Sequence, residues 1–436
     1  MTLFEAVSAF CARHGFDKTY WLAYSGGLDS HVLLSLCAEL RTVFPLKLKA
    51  IHIHHGLSAQ ADKWAKHCAR VCREYDIVYI EHAIQLDLAP GDSLEEIART
   101  RRYAVLAECL GEGDILLTAH QQDDQAETLL LQLFRGAGLK GLAAMPSFKP
   151  FARGFHGRPL LAFPRAELRH YADAHHLEWM EDESNQDLRL TRNFIRHTIL
   201  GPLKARWPTI VSAISRSAGH CAEAHTLLAE LTTPAFNLEN ADTQPLSIEK
   251  LLPLDAPKQR WMLRTWIERS GFPVPDTRKM ETIRLNVLSA NWDRLPVVKW
   301  GNTELRRHRD KLYLMSSLLP HDPKQQFEWD LTGPLPLPFL GALHVSMLEG
   351  AGLRADIQQV SVRFRQGGEK IPIPGRGRRT LKNLLQEWDV LPWERDRLPL
   401  IFAGGVLAMI PGYFIHPDFE ARKGEKGLAI QVVPVA

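Results

Sequence analysis

The 436-residue sequence predicts an α/β fold in which a parallel sheet with helices on its faces comes first. Apolar runs alternate with amphipathic stretches over this part of the chain, as in successive βαβ units. From 208 to 320 the pattern becomes helical, and the last part combines short apolar strands with Pro and Gly turns. Because this length exceeds one core, we expect a first domain over 1–215, a helical domain over 216–325 and a small α+β domain over 350–436.

Each element follows from its local pattern. An amphipathic helix is expected at the N-terminus, where Leu3, Val7 and Phe10 recur at helical spacing. Further along, apolar runs predict strands and amphipathic stretches predict the helices between them. The strands are expected at 20–24, 46–53, 77–80 and 115–119, and the helices near 60–74, 94–110 and 123–135. An extended connector is expected over 331–338, where Pro alternates with Leu.

The first strand ends abruptly in Ser25-Gly26-Gly27-Leu28-Asp29-Ser30, which precedes an apolar helix. Glycines at such a turn let backbone N–H groups close on an anion at the helix N-terminus. The serine hydroxyls add donors, and the Asp29 carboxylate suits Mg²⁺ held against phosphate oxygens. An ordinary turn would explain the glycine pair alone, but the strand, the helix and Asp29 together favour a nucleotide site. A Walker-type loop is excluded, because the chain has no Gly-Lys dipeptide.

Composition excludes several classes of protein. No apolar run approaches the ~20 residues of a membrane span and the N-terminus lacks a signal-peptide layout, so we expect a cytoplasmic protein with no membrane partner. The six cysteines form no Cys-x-x-Cys pair, and Cys68 and Cys72 are expected to be buried on one helix face rather than to bind metal. Net charge is only +3, yet basic residues cluster in three regions. A solvated face explains any one cluster, but three in separate regions strengthen the case for a polyanionic partner such as nucleic acid. The clusters comprise Arg189, Arg192, Arg196, Lys204 and Arg206, then Arg306, Arg307, Arg309 and Lys311, then Arg363, Arg365, Lys370, Arg376, Arg378, Arg379 and Lys382.

A group of acidic residues begins the helix after the fourth strand. Asp123, Asp124 and Glu127 fall in its first turn, and His120 precedes them. Acids at a helix N-terminus are common for electrostatic reasons alone. Because Asp124 and Glu127 are three residues apart, they share one helix face and could bind Mg²⁺ or an amine, while His120 orients a phosphate. In a parallel sheet this segment reaches the same rim as the glycine loop, which favours a functional role.

Three further segments carry residues typical of a site, although each also has a structural explanation. The pattern Glu-x-x-Arg-x-x-Arg-Tyr over 96–103 also suits a surface helix with ion pairs. Glycines within 135–145 suit either plain turns or a loop that approaches a phosphate. The acids and amides of 182–187 precede an arginine-bearing helix at 191–196, as in a simple cap or in a site that holds a base.

Together these motifs resemble those of the bacterial tRNA(Ile)-lysidine synthetase family, which belongs to the N-type ATP pyrophosphatases with a PP-loop. The resemblance covers the chain to about 210 and resumes near the C-terminus, whereas 215–340 matches only in length and helical character. The matching motifs are Ser25–Ser30, His54-His55-Gly56-Leu57, Glu96–Tyr103, His120–Thr128, Arg135-Gly136-Ala137-Gly138, Arg158-Pro159-Leu160-Leu161, Asp182–Asp187 with Arg192–Arg196, Gly367-Gly368, Arg378–Lys382, Trp388 and Pro392–Asp396.

The resemblance implies a two-step modification of the wobble cytidine, position 34, in the CAU anticodon of tRNA(Ile). ATP would adenylate the C2 carbonyl oxygen of the base with loss of pyrophosphate. The ε-amine of free L-lysine would then displace AMP, so that the tRNA reads AUA instead of AUG. The family likeness also implies that the middle and C-terminal domains bind tRNA, and it leaves the oligomeric state open, a homodimer included.

The residue chemistry fits this reaction. Pyrophosphate release needs cations and donors on phosphate charge, and attack by lysine needs a group that takes a proton. Asp124 or Glu127 is expected to bind the lysine and take the proton, with Arg192 steadying charge on phosphate or base. The candidates comprise Ser25, Gly26, Gly27, Leu28, Asp29 and Ser30 for ATP, Asp29 and Asp123 for Mg²⁺, and Asp29, His120, Asp124, Glu127 and Arg192 for catalysis.

Two alternatives stay open at this stage. One is another PP-loop enzyme: tRNA thiolases need cysteines, typically as Cys-x-x-Cys, and glutamine-dependent amidotransferases need a glutaminase module, and neither feature is visible here. The other is a tRNA-binding protein that senses a nucleotide without catalysis. The complete carboxylate set of Asp29, Asp123, Asp124 and Glu127 argues against such a degenerate site.

Overall fold

The computed structural model of the chain describes residues 1–54, 61–84, 94–181, 183–232, 245–291, 294–373 and 377–433. The chain divides into two compact units, Met1–Leu231 and Thr232–Ala436. The three-domain division stays a prediction. Within the described ranges, no helix is both long and apolar enough to cross a bilayer.

The first unit alternates strands and helices as predicted from the apolar periodicity. Each strand and helix expected between 20 and 135 is present to within a few residues, and so is the N-terminal helix. A π-helical turn over Ile195–Leu200 joins its eighth and ninth helices. The elements are α1 (Leu3–His14), β1 (Thr19–Ala23), α2 (Leu28–Val43), β2 (Lys47–His54), α3 (Ala61–Glu74), β3 (Val78–Ala83), α4 (Leu94–Cys109), β4 (Ile115–Leu117), α5 (Gln122–Phe134), α6 (Leu139–Leu142), β5 (Phe148–Phe151), β6 (Gly154–Gly157), α7 (Arg165–Ala174), α8 (Thr191–Phe194), α9 (Gly201–Arg206) and α10 (Ile210–Thr232).

The six strands of this unit form one sheet in the order β3-β2-β1-β4-β6-β5. All neighbours are parallel except the edge pair β5–β6, and Tyr20 of β1 lies in register with Leu48 on one side and Ile115 on the other. The strand order reverses at β1, where β2 continues to one side and β4 lies on the other. Open α/β sheets bind ligands at such a reversal, beyond the carboxyl ends of the strands. The segments after β1 and β4 therefore lie where a site is expected.

The core of the first unit packs α1, α2, α3 and α7 against the sheet. Tyr20, Trp21 and Leu22 are all buried, which explains why β1 is a continuous apolar run rather than an alternating one. Cys68 and Cys72 are also buried, as predicted for structural cysteines of α3.

The second unit combines helices with antiparallel sheets. Its elements are β7 (Leu246–Ser247), α11 (Ala256–Arg269), α12 (Thr277–Thr282), β8 (Val297–Trp300), β9 (Thr303–His308), β10 (Lys311–Ser316), β11 (Gln326–Trp329), β12 (Leu335–Leu337), β13 (Gly341–Glu349), β14 (Leu353–Arg354), β15 (Val360–Arg363), β16 (Lys370–Ile373), β17 (Gly377–Thr380), α13 (Leu381–Glu387), β18 (Leu400–Ala403), β19 (Val406–Ile410), β20 (Phe414–Ile415) and β21 (Lys426–Val433).

The helical pattern predicted for 208–320 holds for α10, α11 and α12 but is wrong for 297–316, where β8, β9 and β10 form strands. These three strands and β7, from before α11, form a four-stranded sheet, and α11 and α12 pack on it through Leu263, Trp266 and Met280. The connector expected over 331–338 is extended only at Leu335–Leu337, which pairs with β13 as strand β12, whereas Leu331 has φ = +61° and lies in a bend. The C-terminal part holds two further sheets around a common apolar core, with α13 and the β16–β17 hairpin beside them.

Candidate active site

The Ser25–Ser30 loop connects β1 to α2 with the geometry of an anion cradle. Gly26 has φ = +81°, and a Cβ there would lie 2.9 Å from the buried Cys68 Sγ, so the position requires glycine. Gly27 is the N-cap residue of α2 and has no side chain to cap the helix. N–H groups at the helix N-terminus are therefore left for a ligand. The hydroxyls of Ser25 and Ser30 lie 3.1 Å apart, and Ser30 also donates to the Gly27 carbonyl. The loop therefore has, without any ligand, the geometry that the predicted phosphate site requires.

Two cavities flank this loop. The larger measures about 1050 Å³, and its polar lining includes Arg165, Arg196 and Lys204. The smaller measures about 190 Å³ and has apolar walls that include Ile51, Ile53 and Leu106, beside His120. Three side chains of the loop, those of Ser25, Asp29 and Ser30, line both cavities. A molecule in the smaller cavity and one in the larger would thus meet at the loop.

Asp29 lies between the two cavities, and one of its carboxylate oxygens lacks a hydrogen bond from the described residues. Its Oδ1 is buried without a hydrogen-bond partner among the described residues, and Arg165 Nε lies 3.8 Å away. Burial raises the pKa of Asp29 to about 6, with Asp124 and Asp123 adding to the effect and Arg165 and Arg196 opposing it. An orphaned carboxylate oxygen beside a phosphate loop suits a hard cation. Within the described ranges, no three His, Cys, Asp or Glu side chains are arranged to hold a metal ion by themselves.

The acidic helix start is fixed by a capping box. Gln121 caps α5 by accepting from the Asp123 N–H over 2.6 Å, and Asp124 Oδ2 accepts from the Gln121 N–H over 3.0 Å. The other Asp124 oxygen, Oδ1, lies 3.5 Å from Arg196 and 3.8 Å from Arg192. Asp124 therefore serves both as cap and as part of a charged cluster.

Glu127 lies one turn further along and is completely buried. Arg196 donates to both its oxygens, over 2.6 and 3.2 Å, and Arg192 Nε lies 3.3 Å from Oε2. Burial raises the pKa of Glu127, although the two arginines oppose this. Because both Asp124 and Glu127 contact the same arginines, the predicted shared helix face is confirmed. The two arginines are four residues apart, and Ile195 and Leu200 pack this segment against Ala126 of α5.

Asp123 has different partners. One of its oxygens accepts from the Arg165 N–H over 3.1 Å, and the other binds Lys204 Nζ. Asp123 is buried, whereas Arg165 and Lys204 are about half exposed and line the larger cavity. Arg165 could not be identified from the sequence, because a single arginine at the start of an amphipathic helix carries no distinctive pattern. Lys204 was predicted as part of a basic cluster, and its acidic partner Asp123 was not predicted.

His120 follows β4 and lies beside the smaller cavity. Its Nδ1 is 2.7 Å from the Thr118 hydroxyl, and burial together with Arg158 and Arg192 lowers its pKa well below the usual histidine range. Arg102 and Tyr103 of the predicted 96–103 motif line the same cavity, so part of this helix belongs to the site.

Other predicted features lie elsewhere. His55, Gly56, Leu57, Asp182 and Arg376 fall outside the described residues. Arg135 is exposed, and it lines neither cavity. The first basic cluster is largely paired with the carboxylates described above. In the second, Arg307 donates to the Val287 and Leu288 carbonyls and Arg309 pairs with Asp389, so this group is not a free basic surface.

Sequence comparison accounts for nearly the whole chain. Residues 5–203 match the PP-loop domain, 246–313 the TilS substrate binding domain and 360–432 the TilS substrate C-terminal domain. The tRNA(Ile)-lysidine synthase of Coxiella burnetii is 44% identical over 434 residues, which cover 99% of this chain and 96% of that protein. The chain belongs to the tRNA(Ile)-lysidine synthase family. The synthase of Methylococcus capsulatus is 42% identical over 96% of this chain and 97% of its own.

The family assignment confirms the resemblance drawn from the motifs, and the chain is a PP-loop enzyme that uses ATP. A thiolase or a non-catalytic binding protein is not favoured, since curated relatives over the full length carry the synthase name. Among solved structures, the U34-tRNA thiolase NcsA from Methanococcus maripaludis aligns with 51% of this chain and 78% of its own, at a TM-score of 0.42 and 20% identity. Similarity at that level carries no functional information.

Proposed function

We propose that this enzyme joins free L-lysine to C2 of the wobble cytidine in tRNA(Ile) with a CAU anticodon, forming lysidine, AMP and pyrophosphate. The observation that carries the proposal is the position of Ser25, Asp29 and Ser30 between two cavities of different character. One cavity suits a nucleobase, and the other has room and charge for a second base with an amino acid. The family membership supports the same reaction.

ATP is proposed to lie with its adenine between the apolar walls of the smaller cavity. Its phosphates then reach the loop, where the N-terminus of α2 and the hydroxyls of Ser25 and Ser30 supply donors. His120 adds a further group on the adenine side of the loop. The α-phosphorus would face the larger cavity, so the C2 carbonyl oxygen of the cytidine can attack it while pyrophosphate leaves.

Mg²⁺ fits this arrangement through Asp29, whose Oδ1 lacks a hydrogen-bond partner. Mg²⁺ usually takes one or two carboxylates and completes its shell with phosphate oxygens and water, so a dedicated protein cage is not required. When bound, the ion would neutralise phosphate charge during pyrophosphate release. Asp123 is the weaker second ligand, because Lys204 and the Arg165 N–H already occupy its oxygens.

Asp124 is the better of the two candidates for the lysine amine. Its Oδ1 has no backbone hydrogen bond, and 14% of the side chain is exposed beside Arg192 and Arg196. Glu127 has no exposed surface and both its oxygens are held, so its role is to anchor Arg192 and Arg196. Asp124 would accept a proton as the lysine ε-nitrogen bonds to C2 and AMP leaves. Arg192 and Arg196 would balance the charge on the departing phosphate.

The second unit is proposed to hold the tRNA outside the anticodon. Arg378, Lys382 and Lys370 are exposed in the third basic cluster and suit phosphate contacts. A wobble base must leave its stack to enter a pocket, and backbone contacts elsewhere on the tRNA would offset that cost. A homodimer and a cytoplasmic location stay predictions.

The decisive experiment combines the full-length enzyme, ATP, Mg²⁺, ¹⁴C-lysine and tRNA(Ile) with a CAU anticodon. We expect label to enter the tRNA with one AMP and one pyrophosphate per lysine. A tRNA with U34 in place of C34 is the matched control and should accept no label. Incorporation into the U34 transcript, or lysine-dependent pyrophosphate release without tRNA, would contradict the proposal.

A further inference from the structure

Four polar side chains form a hydrogen-bonded row that ends at the smaller cavity. Arg158 lies with one terminal nitrogen 3.1 Å from His156 Nδ1. His156 Nε2 lies 2.8 Å from the Thr118 hydroxyl, and the same hydroxyl lies 2.7 Å from His120 Nδ1. Of the four, His120 lines the cavity together with Thr118.

The direction of every proton in this row follows from the donor inventory. A guanidinium only donates, so His156 Nδ1 must accept from Arg158. A neutral imidazole then carries its proton on Nε2, and His156 donates to the Thr118 oxygen. The hydroxyl proton of Thr118 is left for His120 Nδ1, since these two rings are the only partners of that hydroxyl within the described residues. His120 must consequently carry its own proton on Nε2.

Burial makes the alternatives costly. His156 has no exposed surface, and Arg158 and Thr118 are also buried. Burial and the neighbouring Arg158 lower the pKa of His156 to about 3, so this ring stays neutral at physiological pH. If His120 carried its proton on Nδ1, the Thr118 oxygen would receive two donors and its own proton would have no acceptor. Arg158 is itself fixed, because its other terminal nitrogen donates to the Pro146 carbonyl over 2.7 Å.

We infer that Arg158, His156 and Thr118 are positioning residues that hold His120 as an Nε2–H donor toward the ATP phosphates. This rests on the proposed function, in which the α-phosphate lies at the loop beside His120. A preset neutral donor meets developing phosphate charge without having to change its protonation or orientation during the reaction. None of the three positioning residues needs to touch the nucleotide.

The row itself can be tested without any substrate. The full-length enzyme labelled with ¹⁵N-histidine is studied by long-range ¹H–¹⁵N NMR, with the His120 signals assigned by their loss in His120→Gln. We expect His120 to show an unprotonated Nδ1 and a protonated Nε2 between about pH 6 and 8. A protonated Nδ1 in the wild-type spectrum, alone or with a protonated Nε2, would overturn the inference, and the only variant that must fold is the one used for the assignment, His120→Gln.

The kinetics of tRNA adenylation test whether the hydrogen-bonded row assists the reaction. Thr118→Val keeps the shape but removes the hydroxyl. We expect adenylation of tRNA, measured as pyrophosphate release without lysine, to lose about 100-fold in kcat with little change in the KM for ATP, by analogy with the loss of one preorganised donor. Thr118→Ser restores the hydroxyl and should restore the rate and the NMR tautomer together. A Thr118→Val enzyme with wild-type kcat would overturn the inference, whatever its spectrum.

The two proposals fail separately. If the wild-type enzyme shows the expected tautomer but makes no lysidine, the proposed function fails. Pyrophosphate release without lysine then shows directly whether any adenylation remains for His120 to assist. If lysidine forms but His120 has the other tautomer, only the positioning inference fails.

Discussion

Arg196 holds Glu127 through two hydrogen bonds, from Nε to Oε1 over 2.6 Å and from a terminal nitrogen to Oε2 over 3.2 Å. The carboxylate has no exposed surface, whereas the guanidinium is about a quarter exposed. The pair connects α5 to the π-helical turn after α8, so it sets where both arginines of the site lie. The buried carboxylate is thus a structural counter-charge within the candidate site.

Glu127→Gln should destabilise the fold. The change leaves Arg196 and Arg192 with Asp124 as their one remaining ion-pair partner among the described residues, and loss of one partner of a buried pair costs about 3 kcal/mol. In a unit of this size that lowers Tm by roughly 6–12 °C, measurable by differential scanning calorimetry. Glu74→Gln is the matched control, because Glu74 pairs with Arg70 on the surface and should change Tm very little. An unchanged Tm for Glu127→Gln would show that the pair carries no net stability.

Asp124→Asn should separate the two chemical steps. Asparagine retains an oxygen for the capping hydrogen bond with Gln121, so the helix start is kept, but it can neither attract the lysine ammonium nor take its proton. We expect ATP binding and lysine-independent pyrophosphate release to persist, while transfer of labelled lysine to tRNA falls at least about 100-fold. Asp356→Asn, which alters an exposed ion pair with Arg354 that lines neither cavity, is the control and should leave both steps intact. Normal lysine transfer by Asp124→Asn would remove Asp124 from this role.

Asp29→Asn should raise stability in a pH-dependent manner while abolishing adenylation. The folded state raises the pKa of Asp29 to about 6, above that of an unfolded aspartate, so folding favours its protonated form. The stability that protonated Asp29 gives the folded state is complete below about pH 4 and is lost as pH rises through about 6. The free energy of unfolding of the wild type is therefore reduced most at neutral pH and above. The Tm advantage of the Asn variant should therefore grow from pH 4 to about 7 and then level off.

Asp187→Asn provides a control of opposite sign for that titration. Hydrogen bonds from the Arg189 side chain and N–H lower the pKa of Asp187, so its contribution is present at neutral pH and disappears in acid. The Asn variant at 187 should show no Tm advantage at high pH. A pH-independent Tm difference for Asp29→Asn would refute the raised pKa.

Reversing charge in the third basic cluster should weaken tRNA binding without touching the nucleotide site. Arg378→Glu and Lys382→Glu change exposed side chains, and each lost phosphate contact should reduce the slope of log affinity against log salt by about 1. Filter binding over a salt series measures the slope, and ATP binding should stay constant. Lys423→Glu changes an exposed lysine outside the cluster and should not alter the slope. Equal slopes for all variants would place the tRNA elsewhere.

Much of the first unit could be predicted because its signals are local. Continuous apolar strands, the glycine turn and the acidic start of α5 each fix an element from neighbouring residues alone. The shared rim of the loop and α5 followed from parallel topology rather than from any contact in the sequence. What the sequence did not reveal is which charge pairs with which, since Lys204 and Asp123 are far apart along the chain and meet only in the fold.

The missed sheet of the second unit has a physical cause as well. Strand β9 includes the basic residues Arg306, Arg307 and His308, which resemble a solvated surface when read along the chain. In the structure Arg306 pairs with the buried Glu304, and Arg307 is itself buried. Charged residues that are satisfied inside a sheet lack the alternating apolar signal by which strands are recognised.

The loop between the two cavities also bears on inhibition. Because Ser25, Asp29 and Ser30 belong to both cavities, one phosphate at the loop can connect a group on each side. A compound with adenosine joined through that phosphate to a pyrimidine mimic would occupy both volumes as a single molecule and would bind without the entropic cost of assembling two ligands. The loop between the two cavities therefore also defines the shape of a bisubstrate inhibitor.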